Sequence, residues 1–249
     1  MNKLKVIIPA RGGSKGVPGK NIKKVNNIPL LAYPILAAQK SKFISDIYVS
    51  TDDDDIALVA LNYGAKVINR PDHLAQDNSL DVDVMKHAVE QLEDLEDIVH
   101  LRATTPMIDH NIVDDAIIYF YKHIDCTSLR SAHESPESAY KSFKLNSKYW
   151  QGLFDNEYTG EYYNLPRQQL PNTYNPNGYI DIIKPTHFMN NESLHGDKIL
   201  AYVTSYAHEI DTIDENGCKE LIDRKKNTQG NKWKGKSKWK GKDKDKDNM

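Results

Sequence analysis

Short apolar runs alternate along this chain with segments whose apolar residues recur every three or four positions. Leu4–Pro9 is the first strand-like run. Pro29–Lys40 carries Leu30, Leu31, Ile35 and Ala38 on one side of a helix. Ile47–Ser50 is a second strand, followed by a helix to Tyr63, and Lys66–Asn69 is a third. Val82–Leu92 is helical, Ile98–Leu101 a buried strand, and Ile112–Lys122 a helix with Val113, Ala116, Ile117 and Phe120 spaced for burial. Thr127–Ser131 is a fifth strand. This alternation predicts βαβ units: an α/β fold with a mainly parallel, twisted sheet flanked by helices.

From about residue 136 to 174 the rhythm breaks. Aromatic residues (Tyr140, Phe143, Tyr149, Trp150, Phe154, Tyr158, Tyr162 and Tyr163) are separated by turn formers, with no long helical period. The segment reads as a small hairpin-like excursion that contributes to a partner surface. Regular structure resumes at Gly178–Ile183 and Ile199–Thr204, with a last helix near 215–225. Residues 227–249 repeat Lys-Trp-Lys-Gly-Lys and then alternate Lys with Asp. This Lys/Trp-rich tail cannot bury a core and is read as a disordered, solvated appendage. Nucleic-acid contact through lysine and stacked tryptophan is the less favoured reading.

Composition narrows the classes. With 249 residues, 39% of them hydrophobic, the chain suits one sizeable domain. The net charge of −2 hides a division, since ten lysines and one arginine against three aspartates follow Asp223. The body before them is therefore acidic. No run approaches the eighteen or so apolar residues of a membrane helix, and no charged-then-apolar leader opens the chain. Cys126 and Cys218 supply neither a disulfide framework nor metal spacing. The expected compartment is the cytoplasm.

The densest chemistry lies in residues 6–21, V-I-I-P-A-R-G-G-S-K-G-V-P-G-K-N, where a strand runs directly into a glycine-rich, cationic loop. Gly12, Gly13, Gly16 and Gly19 let the backbone approach a ligand, while Arg11, Lys15 and Lys20 surround the loop with positive charge. The combination asks for a polyphosphate. It is not a Walker A loop, because Ser14 stands where the first glycine belongs and Asn21 replaces the magnesium-binding hydroxyl. Nor is it a dinucleotide fingerprint, because Gly12 and Gly13 are adjacent and Pro18 sits where the helix would start.

The loop instead resembles the opening signature of the acylneuraminate cytidylyltransferases, the CMP-sialic acid synthetase family. Further blocks carry the resemblance to about residue 220. Arg70-Pro71 with Leu74-Ala75-Gln76-Asp77-Asn78-Ser79 is similar to the family's R-P-x-x-L-A-x-D-x-S. Leu101-Arg102-Ala103-Thr104-Thr105-Pro106 is similar to L-[QR]-P-T-[ST]-P, with Ala103 replacing the usual proline and Ile108 a common arginine. Arg167-Gln168-Gln169-Leu170-Pro171, then Asn177-Gly178, resembles R-Q-x-L-P and N-G. Glu209-Ile210-Asp211 resembles D-I-D, with the first arm lengthened.

The resemblance implies a nucleotidyltransferase fold, Rossmann-like or GT-A-like, over residues 1–226. It implies transfer of CMP from CTP to an acidic nonulosonic sugar, with release of pyrophosphate. In that reading Arg11 and Lys20 are catalytic. Gly12, Gly13, Ser14, Asn21, Arg70 and Ser79 hold the nucleotide, and Arg102, Lys141, Arg167 and Gln168 face the sugar. Arg167 suits a bidentate grip on a carboxylate. Glu209 and Asp211, two carboxylates at i and i+2 of an extended segment, suit Mg²⁺ or Mn²⁺ beside the phosphates. The excursion implies a homodimer. A Kdo-type acceptor, and nucleotide or sugar binding without turnover, are the alternatives. The acidic run Asp52–Asp55 is read as a helix cap rather than a metal site.

Overall fold

The computed structural model describes residues 3–13, 17–92 and 96–205. Chain order begins with β1 (Leu4–Pro9), a miniature hairpin of β2 (Lys24–Val25) and β3 (Ile28–Pro29), and α1 (Ala32–Lys40). It continues through β4 (Ile44–Thr51), α2 (Asp54–Asn62), β5 (Lys66–Asn69), α3 (Asp81–Glu90), β6 (Ile98–His100) and α4 (His110–Tyr121). Then follow β7 (Ser128–Glu134), a hairpin of β8 (Phe143–Asn146) and β9 (Tyr149–Gly152), β10 (Tyr174–Ile183), α5 (Pro185–Phe188) and β11 (Ile199–Val203).

Seven strands form the central sheet in the order β11-β7-β10-β6-β1-β4-β5. Every neighbouring pair is parallel except those made by β10, which runs antiparallel to both β6 and β7. The sheet is mainly parallel, as its alternating pattern predicts, with one reversed strand at its centre. β1 leads on to β4 on one side, whereas β6 leads on to β7 on the other. Where neighbouring strands lead away in opposite directions, a crevice opens at their carboxyl ends.

Both faces of the sheet are covered. On one, Val6 and Ile8 pack with Ile35 of α1, Ile56 of α2 and Ile117 and Phe120 of α4. On the other, Ile7 packs with Met85 and Val89 of α3 and Phe188 of α5. The spaced residues of α4 (Val113, Ala116, Ile117 and Phe120) are all buried. Truncating a fully buried phenylalanine such as Phe120 costs about 3–5 kcal/mol.

Local chemistry sets the element ends. Asp53 is the N-cap of α2, accepting a hydrogen bond from Ile56 N–H at 2.9 Å, with Asp54 and Asp55 in the first turn. The acidic run is therefore a cap, with Asp52 left for another task. α1 begins three residues later than expected, because Ile28–Pro29 pairs with Lys24–Val25 across a turn in which Asn26 and Asn27 both take positive φ.

The excursion contains the expected hairpin, β8 paired with β9. Tyr140 stacks on Phe154 with ring centroids 4.4 Å apart, and Tyr162 is buried beneath. Phe143, Leu145, Tyr149 and Trp150 remain exposed. Ser14, Glu209, Asp211, the helix expected near 215–225 and the tail lie outside the described residues.

Candidate active site

A cavity of about 330 Å³ opens at the carboxyl ends of β1 and β6. Arg11, Lys20, Asn21, Arg70, Ser79 and Arg102 all line it. Six predicted residues from three stretches of sequence thus meet at the crevice that the topology creates. A neighbouring depression shares Arg11, Gln76 and Asp77 with it and adds Gly13 and Asp52.

The loop after β1 is held from several sides. Gly12 N–H donates to Asp52 Oδ1 at 3.0 Å. A Cβ on Gly12 would stand 2.5 Å from Asp53 Oδ2 and 2.8 Å from Asp53 Cβ, so only glycine fits this approach to α2. Asn21 is buried and donates from Nδ2 to Arg11 O at 3.0 Å, tying the two ends of the loop together. Gly19 takes φ 64° just before Lys20, a left-handed position that releases the chain into a short 3₁₀ turn.

Arg11 forms an ion pair with Asp77, Nη2 to Oδ1 at 2.8 Å, and reaches Ala75 O at 3.4 Å. Arg70 is 7% exposed, donating from Nε to Ser50 Oγ at 3.1 Å and from Nη2 to Ser50 O at 2.7 Å. Burial pulls its pKa down, opposed by the charge of Asp52. Ser79 has a structural task. Its Oγ accepts from Gln76 N–H at 3.0 Å and donates to His73 O at 3.3 Å, closing the turn that carries Gln76 into the cavity.

Arg102 touches Asp81 Oδ2 at 3.5 Å and stands 3.9 Å from Asp181 Oδ2. Ala103, where the family pattern has proline, is buried and also lines the cavity. His100 closes the floor, and burial first, then the charge of Arg102, pushes its pKa down to about 3.

Lys141, Arg167 and Gln168 do not line this cavity. They lie exposed on the excursion. Arg167 donates to the carbonyls of Pro136 and Ser135 at 3.1 and 3.2 Å and meets Glu134 Oε1 at 3.4 Å. Among the described residues no group of three or more His, Cys, Asp or Glu is arranged to hold a metal ion. No helix among them is long and apolar enough to cross a membrane.

Sequence reasoning passed over Asp81, His100, Arg130 and Asp181, and read Asp52 only as part of a helix cap. The acidic run did signal Asp52, but nothing in the residue order says that its carboxylate meets Gly12. His100 and Asp181 sit inside apolar strand runs, and a polar residue at a core position is the one signal that marks them.

The model of the cytidylyltransferase family matches residues 5–165. An N-acylneuraminate cytidylyltransferase of Escherichia coli O18:K1:H7 is 32% identical over 91% of this chain, which spans about half (54%) of that relative's length. The CMP-N,N'-diacetyllegionaminic acid synthase of Campylobacter jejuni is 34% identical, covering 85% of this chain and 91% of its own. The post-translational flagellin modification protein B of Campylobacter coli is 30% identical over 92% of this chain and 98% of its own. Among solved structures, CMP:2-keto-3-deoxy-manno-octonic acid synthetase complexed with CTP superposes with a TM-score of 0.67 at 17% identity, over 92% of this chain and all of that one, a likeness of fold. With a matching family model across most of the sheet and two relatives matched over nearly their whole length, the chain belongs to the cytidylyltransferase family.

Proposed function

We propose that this protein transfers CMP from CTP to the anomeric hydroxyl of an acidic nonulosonic sugar and releases pyrophosphate. The observation that carries the reading is the convergence of Arg11, Lys20 and Arg70 on one cavity at the sheet's crevice. The names of the Escherichia coli and Campylobacter jejuni relatives support the acceptor class.

The anomeric hydroxyl attacks the α-phosphorus in line, forming a new P–O bond and losing its proton to solvent as the bond from the α-phosphorus to the bridging oxygen breaks and pyrophosphate leaves. Charge gathers on the non-bridging oxygens and on the departing pyrophosphate. Fixed donors and cations aimed at those oxygens lower the barrier. Arg11 and Lys20 supply that charge, and Asn21 keeps the loop backbone in place beneath them. Arg70 and Ser79 face the cytosine and ribose side.

Glu209 and Asp211 supply the carboxylates for a divalent cation, Mg²⁺ or Mn²⁺, which when bound neutralises triphosphate charge. The excursion of a second copy brings Lys141, Arg167 and Gln168 to the acceptor side, so the working form is a homodimer. Its exposed Phe143, Leu145, Tyr149 and Trp150 supply an apolar surface for that contact.

A pyrophosphate-release assay tests the reading. CTP with a panel of sialic, legionaminic, pseudaminic and Kdo-type acids should give release with at least one nonulosonic acid. ATP or UTP in place of CTP should give little. Release with the Kdo-type acid alone moves the acceptor class. No release from any acid, with CTP binding retained, leaves a binding protein.

A further inference from the structure

A row of polar side chains crosses one face of the sheet beside the cavity. His100 on β6, Asp181 on β10 and Arg130 on β7 are direct cross-strand neighbours. Cross-strand partners share a face and interact. Asp181 is 3% exposed, and its two oxygens address two different guanidinium groups. Oδ1 lies 3.8 Å from Arg130 Nε, and Oδ2 lies 3.9 Å from Arg102 Nη2. His100 Nδ1 and His195 Nε2 each stand 3.9 Å from the same Oδ2. Burial holds both imidazoles neutral, with pKa values pushed down to about 3 and about 4. Among these neighbours, the counter-charge to Asp181 therefore comes from the arginines.

Neither arginine is saturated. A structural arginine–carboxylate fork makes two N–H···O bonds of about 2.7–2.9 Å. Among the described residues Arg130 makes no hydrogen bond, and Arg102 makes one, the 3.5 Å contact to Asp81. Arg102 is 27% exposed and lines the cavity, and Arg130 is 33% exposed. Asp81, more than half exposed, already rests on Arg102, so that guanidinium accepts a carboxylate at a solvent-accessible edge. Arg167, the other candidate to grip a carboxylate, gives its donors to residues 134–136 of its own chain.

We propose that Asp181, shared between Arg130 and Arg102, is a positioning residue that holds the Arg102 guanidinium at the cavity wall for the carboxylate of the acidic acceptor. Sharing is the working part of the arrangement. With Arg130 present the buried carboxylate is neutralised from one side, and Arg102 keeps charge and donors for substrate. Without Arg130, Asp181 draws Arg102 inward. Without the Asp181 charge, Arg102 loses its tether. The inference rests on the acidic acceptor assigned above.

The test uses the full-length protein, saturating CTP and the acid that the panel identifies, alongside the methyl ester of that acid. Asp181→Asn and Arg130→Gln should each raise the KM for the acid about tenfold, leave the KM for CTP within twofold and leave the weak use of the ester unchanged. Arg130→Lys, which restores the charge beside Asp181, should recover most of the loss. Arg102→Gln should abolish the preference for acid over ester. Where Asp181→Asn does not fold, the comparison of Arg130→Gln with Arg130→Lys decides. Unchanged KM for the acid in folded Arg130→Gln, or a parallel rise in the KM for CTP, overturns the proposal. Failure of the wild type to use any acid while binding CTP would sink the acceptor reading itself, a separate outcome.

Discussion

Replacing Gly12 by alanine tests whether the loop really lies against the start of α2. The new Cβ would fall 2.5 Å from Asp53 Oδ2, 2.8 Å from Asp53 Cβ and 3.0 Å from Asp53 Cγ. Rotating the Asp53 side chain could relieve the first and third of these contacts, but Cβ moves only with the backbone. Rotation would also break the 2.9 Å cap bond to Ile56 N–H, which is worth about 1 kcal/mol. The alternative is to push the loop away, stretching the Gly12 N–H bond to Asp52. Overpacking of this kind costs about 1–3 kcal/mol. A central figure of about 2 kcal/mol lowers the melting temperature of a chain this long by roughly 4–8 °C. Moving the loop, and Arg11 with it, away from the phosphates of the proposed nucleotide should also raise the KM for CTP about tenfold or more, the size of one charge-assisted hydrogen bond. Gly13→Ala is the control for stability, because a Cβ there meets nothing within 4 Å. Thermal melts and pyrophosphate release read both effects. A Gly12→Ala protein that melts with the wild type and keeps its KM for CTP would falsify the close approach.

Lys20→Ala should lower kcat/KM by two or more orders of magnitude, about 3 kcal/mol, in a folded protein, and near-normal turnover removes Lys20 from the chemistry. Excess chelator should abolish activity, with Asp211→Asn damaged more than Glu209→Gln; full activity in chelator ends the two-carboxylate assignment. Light scattering should find a dimer, and deleting residues 227–249 should leave dimer and turnover intact, whereas an active monomer at micromolar concentration defeats the assembly. His100 and His195 are held neutral in the fold at pKa values of about 3 and 4 against 6.5 for free histidine. Between those values the unfolded chain binds more protons, so their contribution is complete above pH 6.5 and is lost as pH falls, to about 4 for His195 and about 3 for His100. Denaturant titrations at stepped pH should show that slope, and His195→Asn should flatten it; equal slopes would refute the burial argument.

Periodicity carried the layers of the fold. The spacing of Val113, Ala116, Ile117 and Phe120 predicts a buried helix face, and all four are buried. The glycine-and-cation loop stood out by its local chemistry and Arg70 and Arg102 by the family blocks that carry them, and the loop's Arg11 and Lys20 line one cavity with both. Pairing partners were not legible. An apolar run such as Ile180–Ile183 looks the same whether it runs with its neighbours or against them, so the reversal of β10 was invisible. The helix expected from Pro29 took in the end of β3, because the apolar residues that follow the Asn26-Asn27 turn fit either pattern. Asp181 and Arg130 lie in different strands, and only the register of β10 on β7 brings them together.

The buried guanidinium of Arg70 has a consequence for how this protein could be made hardier. Its two hydrogen bonds go to the hydroxyl and carbonyl of Ser50, neither of them to a carboxylate. A desolvated ion with no carboxylate bonded to it, only the through-space charge of Asp52, leaves a fold less stable than an apolar side chain of the same shape would. Selection for heat resistance on the empty protein would therefore drift toward losing Arg70, gaining melting temperature as the pocket proposed for the nucleotide loses its buried cation. Selection with nucleotide present would run the other way, since a ligand that binds only the native state adds stability in proportion to its occupancy. At this one side chain, endurance in the resting state and the grip on nucleotide proposed for it are opposed.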